Sequence, residues 1–459
     1  MARRLVVVGG DAAGMSAASA ARRLAGPDEL EIVAFERGNH TSYSACGIPY
    51  YIGTHVADVR QLIAREPAQF ATNQAIHAHL HHEVTDLDTD RRAVRVRDLR
   101  RGTQRWEGFD ALLLATGAIP RLPDLPGSTA DGIFGVQTLD DGLAVRAFLD
   151  EHRSRQAVVV GAGYIGLELA EALCAWGVHI TVVDSGPAPM STLDPDMGDM
   201  LTQAMHSFGM TLRLGETVTG FDTHHGRVTG VVTDNATMPA EIVILGLGVR
   251  PDTDLAAAAG IPLGPSGAIT VDQCLRTGVE GVFAAGDCAE KFHRISRRTV
   301  SVALGTHANK EGRTGGINIG GGYATFPGVL GTAVTKICDI EIGRTGLGEH
   351  DAEAAGYQPL AVTVDSTTRA GYYPAAKPIR TKIIAERGTG RLLGAQIVGE
   401  EGAAKRIDVL AVPLWHHAGV DDILNTDLSY APPFSPVWDP VLIAARKAWQ
   451  RVHADQKAP

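Results

Sequence analysis

Residues 4–14 read RLVVVGGDAAG, and residues 156–166 read QAVVVGAGYIG. Each is an apolar run that ends in a glycine turn and passes into a helical pattern. After the first copy, an Ala/Ser-rich stretch continues to about Leu24, and a second apolar strand, Glu31 to Phe35, ends on Glu36. After the second copy, LELAEALCAWG leads into another strand, His179 to Val183, that ends on Asp184. Strand, glycine turn, helix, strand, acid therefore occurs twice.

The residue types have a common physical reason. The first glycine, Gly9 or Gly161, makes the tight turn out of the strand, and a small residue next lets backbone approach a pyrophosphate. The last glycine, Gly14 or Gly166, lets helix and strand pack closely. The helix start then offers unpaired N–H groups and a positive dipole end to a phosphate. Glu36 lies 22 residues after Gly14, and Asp184 lies 18 after Gly166, both near the spacing of a ribose-binding acid. The second motif is complete (Gly161, Gly163, Gly166), whereas Asp11 replaces the middle glycine of the first. Further buried strands ending in glycine follow at DALLLATG (110–117), EIVILGLG (241–248) and VEGVFAAGDCAE (279–290). Ligands of open α/β sheets bind beyond the carboxyl ends of strands. Asp287 is therefore expected either to meet a dinucleotide or to cap a helix, roles that can coexist. Two such sites on one chain suggest two cofactors exchanging electrons, with the protein positioning them.

Composition narrows the class. A chain of 459 residues has room for two to four domains. Its formal net charge of −10 and lack of a long basic run argue against nucleic acid as a partner. No apolar run approaches the ~18 residues of a membrane span. A strand pattern begins at once, which argues against a signal peptide. The five cysteines, at 46, 174, 274, 288 and 338, are scattered, as expected of reduced thiols in a cytoplasm. Glycine is the anomaly, with 53 residues.

A third region follows Gly320-Gly321-Gly322, which reads as a linker. AVTKICDIEIGRTG, QPLAVTVDS, IRTKIIAE and LLGAQIVG read as strands, and a helix is expected from about Ala403. This is an α+β module without a glycine fingerprint. HAHLHH (77–82) could place His77, His79 and His81 on one strand face, but nothing completes a metal site, and no metal is expected.

Cys46 stands in SYSACGIPYYIG (42–53), ahead of Pro49 at an expected helix start. A thiol there is expected to have a lowered pKa. Tyr50 and Tyr51 occupy the positions where a second cysteine would make an internal disulfide. A lone redox cysteine cycles through a sulfenic acid, a persulfide or a mixed disulfide.

With these residues in hand, the chain resembles the FAD-dependent pyridine nucleotide–disulfide oxidoreductases. It is most similar to their single-cysteine branch: coenzyme A-disulfide reductases, CoA-dependent NAD(P)H sulfur or persulfide reductases, and NADH oxidases and peroxidases. The motifs VVVGGDAAGMSAAS, SYSACGIPYYIG, LLLATGAIPRLP, VVVGAGYIGLELAE, LGLGVRPDT, GVFAAGDCAE, EGAAKRIDVLA and YAPPFSPVWDPV carry the resemblance. It implies an α/β chain with two Rossmann-like, glutathione-reductase-like domains and a C-terminal α+β dimerisation domain. The implied boundaries are 1–119 with 247–322 for FAD, 120–246 for NAD(P), and 330–459 for dimerisation. FAD would be held through Gly9, Asp11, Ala12, Gly14, Glu36 and Arg37, with Thr116, Gly117, Gly286, Asp287 and Thr306 completing its site. The nicotinamide nucleotide would be held through Gly161, Gly163, Ile165, Gly166 and Gly248. Tyr164 resembles the gate over the flavin, and Glu168 would approach the nicotinamide. Asp184 favours NADH, because a carboxylate repels a 2′-phosphate; use of NADPH is left open.

Within the branch, Ala12 stands where peroxidases and oxidases carry a histidine, which argues against peroxidase chemistry. Tyr372 in GYYPA and Tyr430 in SYAPPF match the two tyrosines that the reductases reach from the partner subunit of a homodimer. Arg22, Arg23, Ser42, Lys405 and Arg406 would suit the phosphates of CoA bound at Cys46. Ala45 and Gln74 depart from the family's Asn and Lys and weaken CoA recognition. The expected activity is reduction of CoA disulfide or a related small disulfide or persulfide by NAD(P)H. The alternatives are an NADH oxidase that reduces oxygen, and a flavin-carrying redox sensor without turnover.

Overall fold

The computed structural model describes residues 2–457. The apolar runs become strands buried on both faces, as parallel sheets require. The first sheet has the order Val282–Ala284, Ala111–Leu114, Arg3–Val8, Leu30–Phe35, Ile76–His79, all parallel. The second repeats it: Ile133–Phe134, Ile242–Leu245, Gln156–Val160, His179–Asp184, Thr211–Leu214. The outer strand of the first sheet follows the second unit in the chain, and the outer strand of the second precedes its glycine turn. The first layer is thus drawn from two separate parts of the sequence.

Register decides where a site can form. Val8 pairs with Phe35 and Leu114, and Leu114 pairs with Ala284. Gly9, Glu36, Thr116 and Gly286 therefore emerge along one carboxyl edge. In the second sheet Val160 pairs with Val183 and Leu245, which aligns Gly161, Asp184 and Gly246 in the same way. A three-stranded antiparallel meander accompanies each unit, at 82–108 and at 218–239. These strands are rich in Asp, Glu, Arg and Thr and half-exposed, so they carry little of the apolar signal that marks the parallel strands.

The helix Gly305–Ile319 is hidden in the sequence by its glycines, which disfavour a helix interior by roughly 0.5–1 kcal/mol each. It lies on the first helix, Ala12–Arg22, at a distance only glycine allows. A Cβ on Gly312 would sit 2.2 Å from the carbonyl oxygen of Ala13, and one on Gly316 2.2 Å from that of Ala17. The triple glycine is not the expected linker. Gly320 caps this helix, and the Gly322 amide donates to Ile317 O at 2.9 Å.

The third region is one antiparallel sheet, in the order Ala333–Ile337, Ile340–Gly346, Leu392–Gly399, Pro378–Glu386, Pro359–Thr367. The helices Ile407–Trp415 and Pro440–Lys457 share its core. Ile337, Cys338, Ile340, Ile342 and Val398 instead join the core of the second dinucleotide unit, so this module is packed onto that unit. A buried ammonium fastens the contact. Lys382 Nζ lies 3.0 Å from Asp194 and 2.6 Å from Asp196, both of the second unit, and also pairs with Glu349. These three carboxylates form the one metal-like cluster among the described residues, and the lysine fills its centre. No described helix is long and apolar enough to cross a membrane.

The close helix pair makes a direct prediction. Gly316→Ala should cost about 1–3 kcal/mol by overpacking. Gly305→Ala, where an added Cβ meets nothing within 4 Å, should be nearly neutral. Urea unfolding of the two variants measures the difference.

Candidate active site

Both glycine turns are pressed against backbone. A Cβ on Gly9 would lie 2.1 Å from Ala115 O, and one on Gly14 1.9 Å from Gly9 O. The matching values for Gly161 against Gly246 O and for Gly166 against Gly161 O are 2.4 and 2.0 Å. Gly9 and Gly161 also adopt φ of +106° and +104°, a region that side chains avoid. Gly163, Gly117 and Gly248 instead face open space at their missing side chains. The structure thus places closed glycines where strand and helix meet, and open ones along the groove.

The two acids match bond for bond. Glu36 accepts from the amides of Gly10 (2.8 Å) and Gly38 (2.7 Å). Asp184 accepts from Ala162 (2.6 Å) and Gly186 (2.7 Å). Each carboxylate is anchored by one bond per oxygen and keeps lone pairs for a ribose hydroxyl. Asp11 accepts from the Tyr43 amide at 3.2 Å. Burial, then the negative charges of Glu36 and Asp287, push its carboxyl up to about 6. Thr116 donates to Asp252 O at 2.5 Å, and Arg37 pairs with Asp252 at 3.2 Å. Ala12 starts the first helix, Thr306 lies exposed in the first turn of the glycine helix, and Tyr164 and Ile165 start the helix Tyr164–Cys174.

No helix follows Asp287, so the capping alternative does not apply. Its Oδ1 is buried without a hydrogen-bond partner, and burial raises its carboxyl. A buried acceptor in that state costs free energy unless a ligand satisfies it. Behind it stands an ion pair that sequence reasoning missed. Lys291 and Glu311, fully buried, lie 3.4 Å apart. Lys291 Nζ donates to Gly286 O (2.8 Å) and Ala289 O (3.0 Å), while the Gly286 amide donates to Glu311 (2.8 Å). Both backbone groups of Gly286 are therefore clamped. Burial pushes Glu311 up to about 7 against the pull of Lys291. One helical turn from Glu311, His307 Nδ1 is buried without a partner, and burial, then Lys291, bring that imidazole down to about 4. The glycines around His307 and Glu311 mask the helical spacing that would have signalled this pair.

Cys46 sits in a single 3₁₀ turn, Ala45–Gly47, directly before the helix Ile48–Ile52 with Pro49 in its first turn. Its thiol is free and exposed on one side. The expected lowering of its pKa is not found. Desolvation on its protein side, then the negative charges of Glu168 and Asp287, raise it. Glu168 itself is raised by burial and steadied by Thr335 Oγ1, which donates to it at 2.6 Å. The field at the thiol thus has a negative contribution from each dinucleotide unit. The other cysteines are partly or fully buried.

The cations read as phosphate ligands divide. Arg22 spends its guanidinium on the carbonyls of Gln74 (2.8 Å), Ala25 (3.0 Å) and Ala75 (3.1 Å). Arg406 is held by Asp439, Gly402 O, Thr368 O and Phe434 O. Both also pin local structure. Arg23 is exposed, Lys405 pairs with Asp408, and Ser42 has a positive φ of 46°. Tyr372 and Tyr430 are exposed on the third module, and the neighbouring Tyr372 raises the Tyr430 phenol. The histidine run does not converge: the strand ends at His79, and His81 occupies a left-handed turn.

Comparison with known proteins gives these features a setting. A family model described as pyridine nucleotide-disulphide oxidoreductase matches residues 3–312, and one described as the dimerisation domain of that family matches 332–440. An NAD(P)H coenzyme A polysulfide/persulfide reductase of Pyrococcus horikoshii is 39% identical over 97% of this chain and 98% of its own. An NADH oxidase of Methanocaldococcus jannaschii is 33% identical over 98% of this chain and 99% of its own. The solved structure of an NAD-dependent persulfide reductase from A. fulgidus, 35% identical, superposes with a TM-score of 0.94 over 98% of this chain and 84% of its own.

His307 yields a pH prediction. Its folded pKa, about 4, lies below the ordinary 6.5, so the folded chain disfavours the proton. Its contribution to stability is present above about pH 6.5 and is lost as pH falls toward 4. Asp11 and Glu311 shift upward and act in the opposite sense, so the test compares wild type with His307→Gln. Across that window, wild type should lose up to about 3 kcal/mol relative to the variant. Urea unfolding at a series of pH values measures the gap.

Proposed function

The chain belongs to the pyridine nucleotide-disulphide oxidoreductases, and on that premise we propose that it reduces coenzyme A disulfide, or the related persulfide, through Cys46. It is an FAD- and NAD(P)H-dependent oxidoreductase. One observation carries the substrate reading: Cys46 is the single exposed thiol, and it stands in a 3₁₀ turn directly before the helix Ile48–Ile52 with no second cysteine beside it.

The residues suit the groups they are assigned. The orphaned Asp287 Oδ1 and the open faces of Gly117 and Gly163 fit an extended dinucleotide along each carboxyl edge. Glu36 and Asp184 would each hold a ribose, and the anchored Asp184 disfavours a 2′-phosphate. Bound FAD supplies two-electron transfer from the nicotinamide. Cys46 supplies the sulfur chemistry. Its thiolate attacks one sulfur of the substrate; a Cys46–S–S–R bond forms, the substrate S–S bond breaks, and one thiolate leaves. Two electrons from NAD(P)H and one proton then cleave the mixed disulfide, release the second thiol and restore Cys46. A thiolate departs more easily beside a hydrogen-bond donor. Tyr372 and Tyr430, exposed on the dimerisation domain, would serve that role across a homodimer. Five free cysteines accord with a reducing, cytoplasmic compartment.

Cys46→Ser should abolish turnover of CoA disulfide, by about a thousandfold or more, since its hydroxyl cannot form the mixed disulfide. Bleaching of the flavin absorbance by NADH should persist. A steady-state panel of CoA disulfide, CoA persulfide, polysulfide and oxygen measures the preference. Oxygen uptake that matches disulfide reduction, or turnover that survives the substitution, would overturn the proposal.

A further inference from the structure

The Cys46 segment stands in the first unit's part of the sequence, yet it is packed on the second. Ile48, Tyr51, Ile52 and Leu62 join the core that holds Leu139, Val159, Leu167 and Leu173 of the second unit. The buried clusters around the first sheet include none of these four. Their seat is a cleft between two helices, Leu139–His152 and Tyr164–Cys174. A Cβ on Gly142 of the first helix would lie 2.7 Å from Ile48 Cγ2, and one on Gly53 would lie 3.1 Å from the Cα of Ala172 on the second. Ahead of the thiol, the Ser44 amide donates to Leu62 O at 2.8 Å.

The far end of the segment is held by two side chains of the second unit. The last carbonyls of a helix have no partner inside it. Trp176 Nε1 donates to Ile52 O at 2.8 Å, and Arg146 Nη1 donates to Tyr51 O at 2.9 Å. The Arg146 guanidinium also lies over the Tyr51 ring, 4.5 Å from its centroid. Gly142 and Arg146 stand four residues apart on one face of their helix, so the glycine admits the segment and the arginine ties it. The helix Ile48–Ile52 has five residues, too few to be stable by itself. Its course, and that of the Cys46 turn leading into it, is therefore set by these contacts.

We infer that Trp176 and Arg146 are positioning residues that fix Cys46 to the second dinucleotide unit, through the backbone of the helix that the thiol precedes. The inference rests on Cys46 being the redox thiol. Electrons must then reach a sulfur held at one place between the units, and a displacement of about 1 Å in a reacting group can cost up to about a hundredfold in rate. The experiment starts from holoenzyme reduced with dithiothreitol, desalted, and labelled on Cys46 with one equivalent of dithiodipyridine, the site being checked by peptide mass. NADH is then added without oxygen. Its two electrons and one proton cleave the Cys46–S–S–pyridyl bond and give the Cys46 thiol, thiopyridone and NAD⁺. Thiopyridone release is followed beside the initial bleaching of the flavin absorbance. Trp176→Phe, which keeps the ring packing and loses the donor, should slow release by about tenfold and leave the initial bleaching at the wild-type rate. Arg146→Met should do the same, and Arg146→Lys, which keeps a donor, should stay near wild type. Hydrogen exchange without NADH should quicken by about fivefold at residues 47–53 of Trp176→Phe, the factor of one ordinary hydrogen bond, and stay unchanged in the strand Arg3–Val8. Wild-type release rates in both Trp176→Phe and Arg146→Met, or slower release matched by equally slow bleaching, would overturn the inference. Wild type that bleaches and releases no thiopyridone would instead contradict Cys46 as the redox thiol, and the inference would fall with it.

Discussion

At Gly14 the first helix lies so close to the strand before it that a Cβ would sit 1.9 Å from a carbonyl oxygen, and Gly166 repeats the contact at 2.0 Å. Everything at the two carboxyl edges depends on that approach. It brings each helix start onto the end of its strand, where unpaired amides and the dipole face a phosphate. It also leaves each acid within hydrogen-bond reach of its own turn. The same constraint recurs where Gly312 and Gly316 lie on Ala13 and Ala17, which sets the glycine helix behind the first turn. Part of the unusual glycine content is thus backbone packed on backbone.

Charge is organised on this frame with equal economy. The Lys291–Glu311 pair clamps the peptide on either side of Gly286 and presents Asp287 to the groove. A buried pair of this kind adds little net stability, but the loss of one partner is costly, so its contribution is geometric. On the facing unit, Thr335 holds Glu168. Burial, then the negative charges of Glu168 and Asp287, raise the proton affinity of Cys46. The reactive thiol is therefore governed by its surroundings more than by its position before a helix.

Much of the fold was legible in the sequence, because duplicated glycine turns and apolar runs have few alternative readings. The strands of the third module appeared where alternation placed them. Legibility failed where local propensity and tertiary packing disagree. The glycine helix looks like a loop until Ala13 and Ala17 are seen beneath it. The charged meanders lack an apolar signal. Arg22 and Arg406 look like free cations, yet most of their donors go to carbonyls and to Asp439, which no local pattern reveals. The rise of the Cys46 pKa depended first on burial and then on Glu168, more than a hundred residues away in the chain, and neither shows in the local sequence.

The central claim is that Cys46 alone carries the sulfur chemistry. Intact-mass and peptide mass spectrometry of the holoenzyme mixed with CoA disulfide, without NADH and after prior reduction, tests it most directly. The account predicts one CoA per chain, in disulfide linkage to Cys46. An unmodified chain, or an adduct on Cys174, Cys274, Cys288 or Cys338 instead, would contradict it.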